Sequence, residues 1–229
     1  PVAPGVDYSA FVVGEDVFGQ NQRQTPLFLG STGAAPGTGT SSVRGDVWAE
    51  LTHTATLYND PTNPGVAAGT SAAQDTILGE HTLFISFNGT SGTIQLDSGP
   101  AVTITGTEAD VALTAPDGTV AHIDVTGLAG VTFQGTNTIL GQGKVTIDGG
   151  KSYTDITSFG GTVAVTDADT GRVLYVDTMN LRRTGLEPVR VPGTGDLFGT
   201  LISIRNALRN DRALTDSEQA ALIRELAVA

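Results

Sequence analysis

Hydrophobic and polar residues alternate with a period of two over much of the chain. From Val47 to Leu57 the odd positions are Val, Ala, Leu, His, Ala and Leu, while Thr and Glu fill most of the even ones. That alternation predicts half-buried β-strand. The same reading predicts strands at His81 to Phe87, Thr93 to Leu96, Ala101 to Thr105, Thr119 to Val125 and Val131 to Phe133. Three more follow at Lys144 to Ile147, Thr162 to Thr166 and Arg172 to Asp177. Between them stand residues that favour tight turns: Asn88-Gly89, Asp117-Gly118, Asp148-Gly149-Gly150 and Asp169-Thr170-Gly171. Many short strands at spacings of roughly 8–12 residues predict a sandwich or an irregular antiparallel β domain. No repeat of fixed period is visible.

The period changes after Pro192. Leu197, Leu201, Ile204 and Leu208 step by four, three and four, and Phe198 and Ile202 widen the stripe. This is an amphipathic helix, with Thr194 or Asp196 as candidate cap and Asn210-Asp211 closing it. Thr215 with Glu218 three residues later forms a capping box for a second helix, whose apolar face is Ala221, Leu222 and Leu226, with Ile223 as a further candidate. At the other end, residues 1–42 are irregular: short apolar runs at Tyr8 to Val13 and Leu27 to Leu29 lead into a Gly/Thr/Ser/Pro stretch from Gly30 to Ser42 that reads as a loop or linker. The expected organisation is an irregular segment (1–42), a β-rich domain (43–180) and a helical segment (181–229). The fold class is mainly β with C-terminal helices.

Composition narrows the function. The 229 residues include 30 glycines and no cysteine, which excludes disulfides, thiolate metal sites and a Cys nucleophile. No run of 18 apolar residues is present to span a bilayer as a helix, and no secretory signal is visible. The first residue is Pro1, which reads as a trimmed or processed product. Of the net charge of −12, residues 1–180 carry −13 and residues 181–229 carry +1. So acidic a body argues against nucleic acid or an anionic membrane as partner.

Candidate chemistry is sparse. His53, His81 and His122 sit singly in strand-like alternations, without the HxH or HxxxH spacing that puts two ligands on one metal. Asp167-Ala168-Asp169-Thr170-Gly171 resembles the opening of a calcium loop, yet no Glu follows to complete the shell, and a plain turn accounts for it. Asp148 and Asp155 are the other carboxylates near a turn. Asn88-Gly89-Thr90 fits the N-glycosylation acceptor pattern and equally a hairpin turn. No nucleophile elbow, phosphate loop or dinucleotide fingerprint is present. No catalytic, metal or cofactor residue is assigned.

Two segments carry a family resemblance. The stretch from Thr184 to Asp211 resembles the entry to the C-terminal helical region of the hook-associated protein 3 family, the flagellin-like subunits at the junction of bacterial flagellar hook and filament. The family's pattern is matched here by Gly195, Asp196, Leu197, Phe198, Leu201, Ile202, Ile204, Arg205 and Leu208. Phe11 to Phe18 looks like the segment that follows the family's N-terminal helix. The β region between the two segments looks like a variable outer domain. The resemblance implies a non-enzymatic structural subunit, exported through the flagellar channel to the outside of the cell. Its implied partners are flagellin, the other hook-filament junction protein and, in full-length form, further copies of itself. It implies no cofactor, nucleic acid or membrane. The family's long heptad helices at both termini are largely outside this chain, which therefore reads as a fragment without the parts that polymerise. Leu197, Phe198, Leu201, Ile204 and Leu208 are the expected packing residues between helices or subunits. Flagellin itself is the neighbouring alternative. A secreted carbohydrate-binding or glycan-active β domain is an alternative of another class, and a phage-tail or adhesin domain a further structural one.

Overall fold

A computed structural model of the chain describes residues 23–194, 197–210 and 212–227, with side chains left aside at 197–200, 225 and 227. The fold is mainly β with two C-terminal helices. The strands are β1 (Leu27–Phe28), β2 (Ala35–Pro36), β3 (Gly45–Leu57), β4 (Ala67–Ala68), β5 (Gly79–Asn88), β6 (Gly92–Leu96) and β7 (Val102–Ile104). They continue with β8 (Val111–Thr114), β9 (Val120–Asp124), β10 (Thr132–Thr146), β11 (Thr154–Ile156), β12 (Thr162–Thr166), β13 (Val173–Asp177) and β14 (Gly185–Val191). The helices are α1 (Leu197–Arg209) and α2 (Asp216–Ala227).

The chain divides into two compact units: Pro1–Leu29 with Val43–Val47 and Pro188–Ala229, and Gly30–Ser42 with Trp48–Glu187. In the larger unit, β3, β10, β5, β6 and β7 are neighbours in that order, with β11 also on β10. β10 is the spine. It pairs antiparallel with β5 from Thr132↔Asn88 to Gly141↔Gly79, and with β3 from Leu140↔Leu57 to Thr146↔Glu50. A register shift between Gln142 and Gly143 marks a bulge. Two small sheets accompany it, β4-β9-β8 and β12-β13-β2.

Alternation along β5 explains the core. Leu83, Ile85 and Phe87 point inward, as do Ile94 and Leu96 of β6, Ile104 of β7 and Ile139 of β10. Val111 and Leu113 of β8 and Ala121 and Ile123 of β9 join them in one cluster. Burying each large aliphatic side chain contributes about 1.5–3 kcal/mol, so this cluster is the main source of the unit's stability. Gly79, at φ +75°, opens β5 where an added Cβ would collide with the Leu181 carbonyl.

The Gly30 to Ser42 stretch is not a free tether. Gly37 N donates to Tyr175 O at 3.0 Å, Ser42 N to Val173 O at 2.7 Å, and Tyr175 N to Ser41 Oγ at 3.1 Å, so the stretch lies along β13. Its start is held by the buried Glu187 carboxylate, which accepts from Gly30 N and Thr32 Oγ1, both at 2.5 Å.

In the smaller unit β14 lies between β1 and the start of β3, with Leu27↔Arg190 and Phe28↔Val189 in register. Arg190 Nη1 stands 3.2 Å from Asp46 Oδ1, both side chains largely buried. α1 and α2 pack on each other, and Ala207, Leu214, Leu222 and Leu226 are buried in this helical pair and its connection.

Candidate functional site

The apolar stripe on α1 is distributed unevenly between inside and outside. Ala207 is buried and Ile204 half-buried, while Leu201, Ile202 and Leu208 are 54%, 50% and 65% exposed. Leu201 and Leu208 lie two helical turns apart on one face. Leu197 and Phe198 lie in α1, but their side chains fall outside the described set, as do Gly195, Asp196, Asp211 and the Phe11 to Phe18 segment. The helix therefore uses one side against α2 and presents large aliphatic side chains on another.

Local chemistry fixes this helical pair. Asn210 takes φ +50° after the last turn of α1, and its amide exchanges hydrogen bonds with Leu214: Leu214 N donates to Oδ1 at 2.8 Å, and Nδ2 donates to Leu214 O at 2.9 Å. The capping box at α2 forms as its residues predict. Thr215 N and Thr215 Oγ1 donate to Glu218 Oε2 at 3.0 and 2.7 Å. Gln219 Nε2 donates to Ala207 O at 2.6 Å and ties the helices together. The Thr194 hydroxyl donates to Val191 O at 2.7 Å and accepts from Gly45 N at 2.9 Å.

The histidines lie in the larger unit, each with a polar partner. His81 in β5 is buried. Its Nδ1 faces Asp97 Oδ2 at 2.8 Å, and its Nε2 faces the Leu78 and Arg182 carbonyls at 3.1 and 2.9 Å. His122 in β9 directs Nδ1 at Asp75 Oδ1, 3.0 Å away, and the same oxygen accepts His122 N at 2.8 Å. The other Asp75 oxygen accepts Thr56 Oγ1 at 3.0 Å, and His53 Nε2 lies 2.9 Å from that hydroxyl. Burial holds His53 below its ordinary range, against the pull of the Asp75 charge. Burial, with the same Asp75 charge beside it, raises the Tyr58 phenol well above its ordinary range. These are chains of internal hydrogen bonds: Asp75 spends both oxygens on its own fold.

The acidic turns are equally self-contained. Asp148 accepts Thr146 Oγ1, Lys151 N and Ser152 N on one oxygen at 2.7, 2.9 and 3.0 Å, and Ser152 Oγ and Ala168 N on the other at 2.6 and 3.0 Å. The Ser152 hydroxyl, then the Ser152 amide, hold its carboxyl far below the usual range. Asp167 accepts Asp169 N and Thr170 N at 2.8 and 3.1 Å, and Asp169 meets Lys151 Nζ at 2.5 Å. Among the described residues no three His, Cys, Asp or Glu side chains group as a metal site. No helix of the described chain is long and apolar enough to cross a membrane. A shallow cavity of about 360 Å³ is lined by Leu57, Asn59, Asp60, Pro61, Thr138 and Leu140. Its one carboxylate, Asp60, is committed on both oxygens to Thr62 and Thr138 N.

No family model, no curated protein and no solved structure matches this chain.

Proposed function

We propose that this chain is a non-catalytic structural subunit of the bacterial flagellum, placed where hook and filament join. The observation that carries the reading is the α1 face, where Leu201, Ile202 and Leu208 stand half or more exposed on a helix that already packs on α2 by another side. That helix lies within the Thr184 to Asp211 segment that resembles the family. An amphipathic helix with a second apolar face suits the seam of a multi-subunit assembly. In this reading the helical end makes the axial contacts with flagellin, with the other junction protein and with further copies. The larger unit, an irregular sandwich of the main and small sheets, projects outward as an acidic, well-hydrated domain. Export through the flagellar channel suits a chain with no cysteine to oxidise.

Immunogold labelling of intact flagella from the source bacterium tests this. Label confined to the joint between hook and filament is the expected result. Label along the whole filament assigns the chain to flagellin instead, and no flagellar label overturns the reading.

A further inference from the structure

The tip of the β5–β6 hairpin holds an amide where neighbouring turns of the same chain hold a carboxylate. Asn88 Oδ1 accepts three hydrogen bonds, from Thr90 N at 3.0 Å, Thr90 Oγ1 at 3.1 Å and Ser91 N at 2.9 Å. The same cradle, built from the backbone N–H and hydroxyl of a Thr two residues on, surrounds Asp60, Asp117 and Asp124. The match with Asp117-Gly118-Thr119 is closest: Gly118 has φ +83° and Gly89 φ +94°, and Thr119 donates to Asp117 Oδ1 at 2.9 Å from N and 2.5 Å from Oγ1. At Asp124 the Thr126 hydroxyl and then the Thr126 amide hold the carboxyl below its ordinary range. Converging donors of this kind favour negative charge on the oxygen they face.

Asn88 is also the one asparagine of the chain followed by glycine. Gly89 brings no Cβ to hinder its own backbone nitrogen from approaching the neighbouring side-chain carbonyl carbon. Among the described residues that N–H has no hydrogen-bond partner to give up.

We infer that Asn88 is a self-modification site, converting to aspartate and isoaspartate through a succinimide closed by Gly89. Solvent hydroxide takes the Gly89 N–H proton, and the nitrogen bonds to Asn88 Cγ. The electron pair of the C=O bond moves onto Oδ1, towards the three donors from Thr90 and Ser91. As the carbonyl re-forms, the Cγ–Nδ2 bond breaks and Nδ2 leaves as ammonia with a proton from water. Water then opens the ring. Opening at Cγ gives aspartate, and opening at the main-chain carbonyl of residue 88 gives isoaspartate. One water enters, one ammonia leaves, and nothing is oxidised or reduced. The aspartate product keeps all three donors and supplies the charge they favour. The isoaspartate product inserts one more carbon into the backbone between Phe87 and Gly92, which face each other in register, and loosens the hairpin. This inference stands apart from the flagellar reading.

The test follows the amide in the full 229-residue chain at mildly alkaline pH, native and urea-unfolded, by peptide mass mapping and enzymatic isoaspartate methylation. The native chain is expected to convert at Asn88 at least as fast as the unfolded one, ahead of every other asparagine. Thr90→Val is expected to slow the native reaction several-fold and leave the unfolded one unchanged. Conversion slower in the native chain than in urea, or a Thr90→Val rate equal to wild type, would overturn the role given to the turn. A separate variant, Asn88→Asp, is expected to melt no lower than wild type, and a lower melting temperature would overturn the carboxylate cradle.

Discussion

Asp75 illustrates how polar side chains serve the fold. It is buried, and it joins the 3₁₀ turn at Ala72–Gln74 to β9 and β3 through His122 and Thr56. Asp75→Ala leaves three donors without an acceptor, and an unsatisfied buried group costs about 1–3 kcal/mol. A fall of that order in urea-unfolding free energy is expected, and an unchanged midpoint would contradict the role assigned to it. The surface carboxylates predict a pH dependence. Glu108 is held down to about 2, first by the Thr105 hydroxyl; Asp60 is held low first by Thr138 N–H, Asp124 by the Thr126 hydroxyl and Asp148 by the Ser152 hydroxyl. A folded-state pKa below the unfolded one contributes stability that is present above the ordinary carboxylate range and lost as pH falls through the folded value. The melting temperature is therefore expected to drop as pH falls from about 4 towards about 2. A flat profile across that window would rule the turns out as a stabilising set. The sequence places His53, His81 and His122 inside alternating segments, but not their partners. Asp75 is 47 residues from His122 and Asp97 is 16 from His81, distances over which only the strand order decides what meets.

Elements with a clean pattern were readable. β3, β5, β6, β12 and β13 lie where alternation predicts them, and along β5 the alternation is also one of burial, odd positions buried and most even ones exposed. β10 is the instructive exception. Only its two ends, near Phe133 and from Lys144, read as strand, although it runs unbroken from Thr132 to Thr146. Gly135, Gly141 and Gly143 interrupt the hydrophobic signal, yet Gly141 and Gly143 sit where an added Cβ would press on Ile77 O and Thr52 O. Close approach of neighbouring chain asks for glycine at those positions, and local propensity cannot register that demand. β14 was hidden likewise, since Glu187, Pro188 and Arg190 break its alternation while nearly the whole strand is buried. In the helical pair the spacing identifies α1 and the capping box identifies α2, but not which side of α1 meets α2. Two variants separate these roles. Thr215→Ala removes the N-cap and is expected to lower stability by about 0.5–2 kcal/mol, read from urea unfolding followed by helical circular dichroism. Leu201→Asp, at an exposed position, is expected to leave that curve within about 0.5 kcal/mol of wild type. A large loss from Leu201→Asp would mean that this face of α1 serves the fold of the chain itself.

At the scale of the molecule, charge and order divide along similar lines. The acidic body and the near-neutral C-terminal stretch were evident from composition, and the structure gathers the helices into one compact unit and most strands into another. The larger unit has its own core from Val66 to Ile139, so residues 30–187 alone are expected to unfold cooperatively with a β-type circular dichroism spectrum. A broad, non-cooperative transition would show that this core is not self-sufficient. The central claim is that the exposed α1 face is an assembly surface, and sedimentation velocity tests it most directly. The chain is compared with a version extended at both ends by long helices of the kind found in the family it resembles, each with and without Leu201→Asp and each mixed with flagellin. The account predicts that the extended version sediments as a complex with flagellin, that Leu201→Asp abolishes the complex, and that the short chain stays monomeric throughout. Equal association with and without Leu201→Asp, or no association of the extended version at all, would contradict it.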